Sequence, residues 1–349
     1  MLCFCLKGPI AVGQYGNFKF KHLGVEQGLS HVTINEMIQD RHGALWVGTT
    51  DGLNRYNGYD FKVFKSDTKV PNSLFDNNIN ALYEDATGLI WIGTFDGLHY
   101  YDQNLETFTR LPDAIHEATG IRIYEITSKS ESELWIGSEK GLFILDTPSL
   151  SAQKVKTTEG LGSVHRLFHR NDQQLWVGTL EQGVFLYNPE QESLKSFELF
   201  EETYPVWDFH EDHSGILWVG INGGGLWYAG ANEEELSPFK GTNISNDKVL
   251  SIYEDNAHNL WVGTDQGGVN KISPNRKRVY QYKHKPGTEG SLSSSDIRTI
   301  FEDRKGTLWF GTWGGGLSLV ILAQERFARF TASGGAIHSL SSNFTQAIL

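Results

Sequence analysis

The chain has 349 residues and carries 30 Lys and Arg against 42 Asp and Glu, which gives a formal net charge of −12. Its basic residues are scattered and form no stripe, so nucleic acid and an anionic membrane are poor candidate partners. No run of about 18 apolar residues occurs, so we predict no transmembrane helix within this chain.

The first residues are apolar and are followed by small residues at Ala11 and Gly13. This pattern resembles the end of a secretory signal, and the alternative is a disordered N-terminus. We assign residues 1–16 to this segment. Both cysteines, Cys3 and Cys5, lie in it, so we expect no disulfide framework in the folded part. Residues 18–23 then alternate aromatic and polar side chains, which predicts a short strand.

A short phrase containing tryptophan recurs seven times after this strand, at intervals of 41–48 residues. Each copy has the form Leu or Ile, Trp, an apolar residue, then Gly. The seven tryptophans, which we interpret as structural, are Trp46, Trp91, Trp135, Trp176, Trp218, Trp261 and Trp309. A regular period of this length indicates a repeat architecture.

Each repeat contains four short β-forming segments separated by turns rich in Gly, Asp and Asn. In the sixth copy the segments begin near Val249, Leu260, Val269 and Val279. A four-stranded meander cannot bury both faces alone, whereas radial stacking of meanders does. The fold class predicted is therefore all-β, a seven-bladed β-propeller of four-stranded antiparallel blades. A parallel β-helix is the alternative, but no sub-period of about 20–30 residues is visible.

The constant residues of the repeat have packing roles in this fold. The Trp is expected to fill the wedge between blades, and the Gly two residues later permits close approach. An Asp six residues before Trp in five copies is expected to hold the hairpin turn. The third and fourth copies have Lys129 and Arg170 instead, so we expect those turns to be looser.

These motifs resemble the repeat of the two-component regulator propeller family. Residues 41–56 fit the pattern closely, as do the lead-in at residues 28–31 and the linkers at residues 71–74 and 291–294. The resemblance spans about residues 17–349. It implies an extracytoplasmic, periplasmic sensor region of a bacterial receptor, followed elsewhere by a β-sandwich, a membrane helix and a histidine kinase or diguanylate cyclase. It also implies a carbohydrate-like ligand and leaves open a homodimer in the full receptor.

The chain is expected to close its ring with a terminal strand. Either residues 18–23 or the similar residues 326–331 would be the outer strand of the blade around Trp309, and we favour the N-terminal segment. The propeller would then cover residues 17–332. Residues 333–349 align with the start of the seventh repeat and are predicted to begin a truncated eighth, so we interpret the chain as a fragment.

Known catalytic and metal motifs are absent from the sequence, and we predict no catalytic residue, metal or cofactor. His165 and His169 would lie about 13 Å apart on a strand. His210 and His213 flank a hairpin, where an exposed turn is favoured over a set of metal ligands. The clusters of glycine lack the strand–helix context of a phosphate loop.

Function is better sought where the copies differ, in loops at one mouth of the channel. Aromatic side chains among polar ones there suit sugar rings. The ligand-binding candidates are Asp51, Phe95, Asp96, Arg122, Trp207, Asn222, Asp265, Gln266 and Trp313. The alternative for the aromatic ones is inter-blade core. We predict a non-enzymatic sensor domain; a propeller glycan hydrolase or lyase and a protein-interaction scaffold are the alternatives.

Overall fold

Seven separate four-stranded antiparallel sheets make up the described part of the chain, which confirms the predicted seven-bladed propeller. The structure is a computed structural model and describes residues 18–321, except positions 71, 121, 172, 201–203, 232, 241 and 242. The predicted leader (1–16), the segment at 326–331 and the predicted eighth repeat therefore lie outside the described residues.

The strands are numbered in chain order, and each blade is numbered by its tryptophan, from Trp46 in blade 1 to Trp309 in blade 7. Blades 1 to 3 consist of β2 (Ile34–Gln39), β3 (Leu45–Thr49), β4 (Gly52–Tyr56) and β5 (Phe61–Phe64); β6 (Ile79–Glu84), β7 (Ile90–Thr94), β8 (Gly97–Asp102) and β9 (Thr107–Arg110); and β10 (Ile123–Ser128), β11 (Glu133–Ser138), β12 (Gly141–Asp146) and β13 (Ser151–Lys154).

Blades 4 to 6 consist of β14 (Val164–Asn171), β15 (Gln174–Thr179), β16 (Val184–Asn188) and β17 (Ser193–Phe197); β18 (Val206–Glu211), β19 (Leu217–Ile221), β20 (Gly225–Ala229) and β21 (Ser237–Pro238); and β22 (Val249–Glu254), β23 (Leu260–Thr264), β24 (Gly268–Ile272) and β25 (Val279–Tyr282). Blade 7 combines β26 (Ile297–Glu302), β27 (Thr307–Thr312) and β28 (Leu317–Ile321) with β1 (Lys21–Leu23).

One short helix, α1 (Asp113–Thr119), lies between blades 2 and 3 and was not predicted from the sequence. It begins after Pro112 and buries Ile115, His116 and Thr119. Two turns contain too few residues to show a helical period, so the sequence pattern could not reveal it. Two single-turn 3₁₀ helices occupy Val25–Gln27 and Lys156–Thr158. Among the described residues, no helix has the length and apolar composition needed to span a membrane.

The N-terminal strand closes the ring, as favoured from the sequence. Strand β1 pairs antiparallel with β28, with His22 opposite Ser318, and so forms the outer edge of blade 7. Before it, Phe18 and Phe20 are buried against Trp261 and Phe310 between blades 6 and 7. The two ends of the described chain are therefore joined by both backbone pairing and aromatic packing.

The hydrophobic core is divided into wedges between neighbouring blades. Trp46 of blade 1, for example, packs with Ile79, Tyr101 and Phe108 of blade 2. All seven repeat tryptophans are at most 5% exposed, which confirms their predicted burial. The repeat therefore uses its largest side chain to fill the gap that radial stacking leaves.

The glycine two residues after each tryptophan sets the distance between blades. A Cβ atom added at Gly48 would lie 2.7 Å from Cγ2 of Ile79, the first residue of β6 in the next blade. Real Cβ atoms do not approach so closely, so any larger residue would push the blades apart. The other six copies meet the first-strand Ile or Val of their next blade in the same way.

The recurrent aspartate both holds its turn and orients the tryptophan. Asp40 accepts backbone hydrogen bonds from His42 and Ala44, and its second oxygen accepts the Trp46 indole N–H at 2.8 Å. The same indole bond occurs in the four other copies with Asp. In the copies with Lys129 and Arg170, the indole nitrogens of Trp135 and Trp176 have no partner among the described residues. Those two blades therefore lack this link between turn and core.

Candidate functional site

Every blade carries a β-bulge at the start of its first strand, next to the central channel. In β2 the pairing with β3 passes from Ile34 directly to Glu36, which leaves Asn35 unpaired. The same shift occurs at the second residue of the other six first strands. A bulge bends the strand and re-aims the side chains around it, and bulges are frequent next to functional sites.

The bulged position is variable although its surroundings are constant. The residue before it is a fully buried Ile or Val in all seven blades. The seven bulged residues, from blade 1 to blade 7, are Asn35, Asn80, Tyr124, His165, Trp207, Leu250 and Arg298. An unvarying scaffold therefore presents a different side chain from each blade to the same place.

Six of these seven bulged residues line one cavity of about 300 Å³ at the mouth of the channel. Its remaining walls come from Thr50, Asn78, Phe95, Arg166, Leu180 and Trp313. Four aromatic rings thus share the cavity with amide, imidazole and guanidinium groups. Ligand sites have this composition, since apolar walls supply contact area and a few polar groups fix orientation.

Arg298 lies between two tryptophans in this cavity. Its Cζ atom is 4.0 Å from the ring centre of Trp313 and 5.0 Å from that of Trp207. Asp296 is 3.9 Å from its Nε, too far for a hydrogen bond. Within the described residues, neither Nε of Arg298 nor the indole nitrogen of Trp207 has a hydrogen-bond partner. Buried donors without partners are costly, and both belong to side chains that line this cavity.

His165 offers the cavity a neutral imidazole. Burial, together with a smaller effect of the adjacent Arg166, lowers its pKa to about 3. Its Nδ1 is 3.0 Å from the carbonyl oxygen of Val206, which can only accept a hydrogen bond. The proton therefore belongs on Nδ1, and Nε2 is left as an acceptor.

A second ring of side chains lies deeper in the channel, one residue further along each first strand. Glu36, Glu125, Arg166 and Asp208 line an adjoining cavity of about 270 Å³. The Arg166 guanidinium donates hydrogen bonds to the carbonyls of Trp207 and Tyr124 and lies 3.5 Å from a Glu125 oxygen. Three carboxyl groups therefore share one buried cation.

Burial and the excess of carboxyl groups over cations raise the pKa values of these acids. Burial raises the pKa of Glu125 to about 8; Arg166 opposes the shift, while Glu36 and Asp208 add to it. Burial likewise raises the pKa of Asp208 to about 7. These acids therefore change charge near neutral pH, directly beneath the cavity at the mouth.

We expect Glu125→Gln to change the pH dependence of stability. A carboxyl with a raised pKa in the folded state contributes stability that is complete below its ordinary pKa and is lost as pH rises through about 8. The stability of the variant relative to the natural chain should therefore increase between pH 5 and 8.5, by at least about 1 kcal/mol. Urea denaturation at both pH values measures this difference, and an equal difference at the two would contradict it.

The structure brings together three of the nine ligand-binding candidates. Phe95, Trp207 and Trp313 line the cavity. The other six, which lie outside its lining, are Asp51, Asp96, Arg122, Asn222, Asp265 and Gln266. Several of them are engaged locally: Asp51 pairs with Lys65 at 2.6 Å, and Asp265 pairs with Lys248 at 3.2 Å. Arg122 lies over the ring of Phe95, with its Cζ 5.3 Å from the ring centre, and so contacts a cavity residue.

Comparison with known proteins identifies a family whose repeat matches several of these blades. The repeat described as "Two component regulator propeller" matches residues 28–51, 73–96, 243–266 and 291–314. A histidine kinase P4 of Formosa agariphila is 39% identical over 61 residues, which are 18% of this chain and 4% of that protein.

Solved structures agree with this match. The extracellular domain of a putative hybrid two component system from B. thetaiotaomicron has a TM-score of 0.76 and 26% identity, covering 87% of this chain and 42% of that one. A second such domain from B. thetaiotaomicron has a TM-score of 0.73 and 19% identity, covering 90% of this chain and 40% of that one. The chain thus spans less than half of these relatives. It is homologous to extracellular domains of hybrid two-component systems, and four of its seven blades match the two component regulator propeller repeat.

Proposed function

We propose that this chain is a ligand-sensing propeller of an extracytoplasmic signalling receptor, located in the periplasm. Its similarity to extracellular domains of two-component systems supports this role. In this proposal a histidine kinase or diguanylate cyclase elsewhere in the receptor gives the response, and the propeller contributes recognition without catalysis.

The ligand that we propose is carbohydrate-like and binds in the cavity at the channel mouth. The observation that carries this proposal is the ring of bulged residues, which differ from blade to blade on an otherwise constant scaffold. Rings of Phe95, Trp207 and Trp313 can stack on the apolar faces of sugars. Asn35, Asn80 and the Arg298 guanidinium can bond to their hydroxyl groups.

Titration calorimetry of the protein against a panel of oligosaccharides tests this proposal. For an oligosaccharide that binds, we expect Trp207→Ala together with Trp313→Ala to weaken binding by about tenfold or more, because two stacking surfaces are lost. Tyr59→Ala is the matched control, because Tyr59 is 89% exposed and lies outside the cavity lining. Affinity that survives the double substitution would place the ligand on another surface.

One observation favours a second candidate function, cleavage of a glycan, which the same panel of oligosaccharides can test. The channel beneath the cavity holds carboxyl groups whose pKa values are raised toward neutrality, as a general acid requires. Chromatography of the panel after incubation with the protein would detect cleavage. Turnover that is lost in Glu125→Gln would favour a glycan hydrolase or lyase over a sensor.

A further inference from the structure

The turns that contain the recurrent aspartate are joined in series across blades 5, 6, 7, 1 and 2, at the opposite ends of the strands from the cavity. In this series the backbone N–H after the aspartate of one blade donates to the side chain before the aspartate of the next. These bonds join Arg41 to Glu84 at 2.7 Å, His213 to Glu254 at 2.7 Å, Asn256 to Glu302 at 2.8 Å and Arg304 to Gln39 at 3.0 Å. The contact between His213 and Glu254 thus has a structural role shared with other blades.

Blades 5 and 6 add two imidazoles to this shared contact. The His213 side chain contacts the same carboxylate as the His213 backbone N–H. Its Nδ1 lies 2.9 and 3.1 Å from the two oxygens of Glu254. His258 approaches from the next turn, with its Nδ1 3.8 Å from Oε2 of Glu254. The two imidazole rings stack with their centres 3.7 Å apart.

His258 occupies a position where the repeat otherwise has glycine. In the other four turns with the aspartate, the residue three before tryptophan is Gly43, Gly88, Gly215 or Gly306, always with positive φ. His258 adopts the same left-handed conformation, with φ of 62°. This conformation is unfavourable for a residue with a Cβ atom. The strain is kept in the one turn that faces another histidine across a carboxylate, which suggests a role for the side chain.

The three side chains are arranged as a set of metal ligands. Their donor atoms all lie within 4.8 Å of one another. Ligand atoms of a tetrahedral Zn²⁺ site are about 3.3 Å apart. Side-chain rotations that move the donor atoms by less than about 2 Å therefore bring all three within binding distance of one ion. Both histidines are about half exposed, at 43% and 50% of their side-chain area, so the protein does not enclose their rings.

The surrounding charges favour a bound cation. Arg276 contacts both Glu254 and Asp212, so the cluster holds two carboxylates against one guanidinium. Arg276 contacts Oε1 of Glu254, whereas Oε2 accepts the His213 backbone N–H and is the oxygen that lies toward His258. On the far side of the ring, the His213 Nε2 is 3.3 Å from the hydroxyl of Ser214, which can fix its orientation.

We propose that His213, Glu254 and His258 bind a divalent transition-metal ion such as Zn²⁺ between blades 5 and 6. Two imidazoles and one carboxylate are ligands that Zn²⁺ accepts, with water completing the tetrahedron. The ion links the two turns on the face opposite the cavity, so the site is independent of the proposed carbohydrate ligand.

Titration of tag-free, chelator-stripped protein with Zn²⁺ tests the site, by calorimetry in a buffer that does not bind metal. We expect one equivalent to bind and to raise the melting temperature, because the ion binds only the folded state. His258→Gly should weaken binding by at least about 100-fold, since even outer partners of metal ligands contribute about 10–100-fold. This variant restores the glycine of the other turns, so without metal it should melt at or above the temperature of the natural chain.

His213→Asn should weaken Zn²⁺ binding to a similar degree while it preserves the turn, because Asn256 fills the equivalent place in blade 6. His42→Ala is the control: His42 is an exposed histidine of the blade 1 turn, outside the cluster, and its loss should leave the affinity unchanged. The proposal is overturned if the natural chain binds no equivalent of Zn²⁺, or if His258→Gly and His213→Asn bind it as tightly as the natural chain. Trp207→Ala with Trp313→Ala should bind Zn²⁺ normally.

Discussion

Replacing Trp218 with alanine should lower the free energy of unfolding by about 3–5 kcal/mol, as other large-to-small core substitutions do. The Trp218 side chain is 2% exposed and packs against Val249 and Leu260 of the next blade. Its indole donates to Asp212 at 2.9 Å, so the substitution also removes a partner from a buried carboxylate. No neighbouring side chain can fill a wedge of this size without moving the blades. Urea denaturation followed by circular dichroism measures the loss.

The control for this substitution is Trp313→Ala, which removes the same side chain from a site that is 48% exposed. Because this side chain is half exposed and loses mainly its stacking on Arg298, we expect a smaller cost of about 0.5–1 kcal/mol. A loss below about 1 kcal/mol for Trp218→Ala would mean that neighbouring side chains fill the space left between blades 5 and 6. That result would contradict the close packing described above.

Deleting residues 1–24 should weaken the closure of the ring at blade 7, because β1 belongs to that blade and leads directly into blade 1. The deletion removes β1 from the edge of β28 and removes Phe18 and Phe20 from the aromatic cluster around Phe310 and Trp261. Loss of the two buried rings alone costs about 3–6 kcal/mol. We expect a fall in melting temperature on the order of 10 °C for a chain of this size.

The matched control is deletion of residues 1–17, which retains β1, Phe18 and Phe20. It should melt close to the natural chain. If deleting residues 1–24 leaves the melting temperature unchanged, and residues 326–331 are protected from hydrogen exchange, the C-terminal segment closes the ring instead.

The blade count and the core could be predicted because each depends on a residue that every repeat retains. Tryptophan at a regular interval marks each wedge, and Gly48 and its equivalents mark the close approach of neighbouring blades. Helix α1 could not be predicted, since it belongs to one connection only and is too short to carry a period. Closure by β1 could be favoured only from its alternating aromatic residues.

The cavity was harder to predict because it depends on a one-residue irregularity of the backbone. Regular alternation does not reveal which residue of a strand is bulged, so several candidates were placed on loops just outside the cavity. Of the six bulged residues that line the cavity, only Trp207 is among the ligand-binding candidates named from the sequence. A signal was present: the bulged residue always follows the buried Ile or Val that opens the first strand.

The cluster of His213, Glu254 and His258 could not be found from sequence motifs, for a different reason. His213 is 41 residues from Glu254, and no local motif joins residues of two successive turns. They meet because the equivalent turns of adjacent blades stand side by side. Position-by-position alignment of the repeats would have shown His258 in place of the usual glycine.

Closure by β1 also sets an order of events during synthesis. Strand β1 is made near the beginning of the chain, and its partner β28 is made roughly 300 residues later, about 15–60 s at ordinary rates of translation. Throughout that time the growing arc of blades has a free edge at each end, and Phe18 and Phe20 have no place to pack. Open strand edges and exposed aromatic side chains promote association between chains. The unfinished ring is therefore the stage at which association between chains is most favoured.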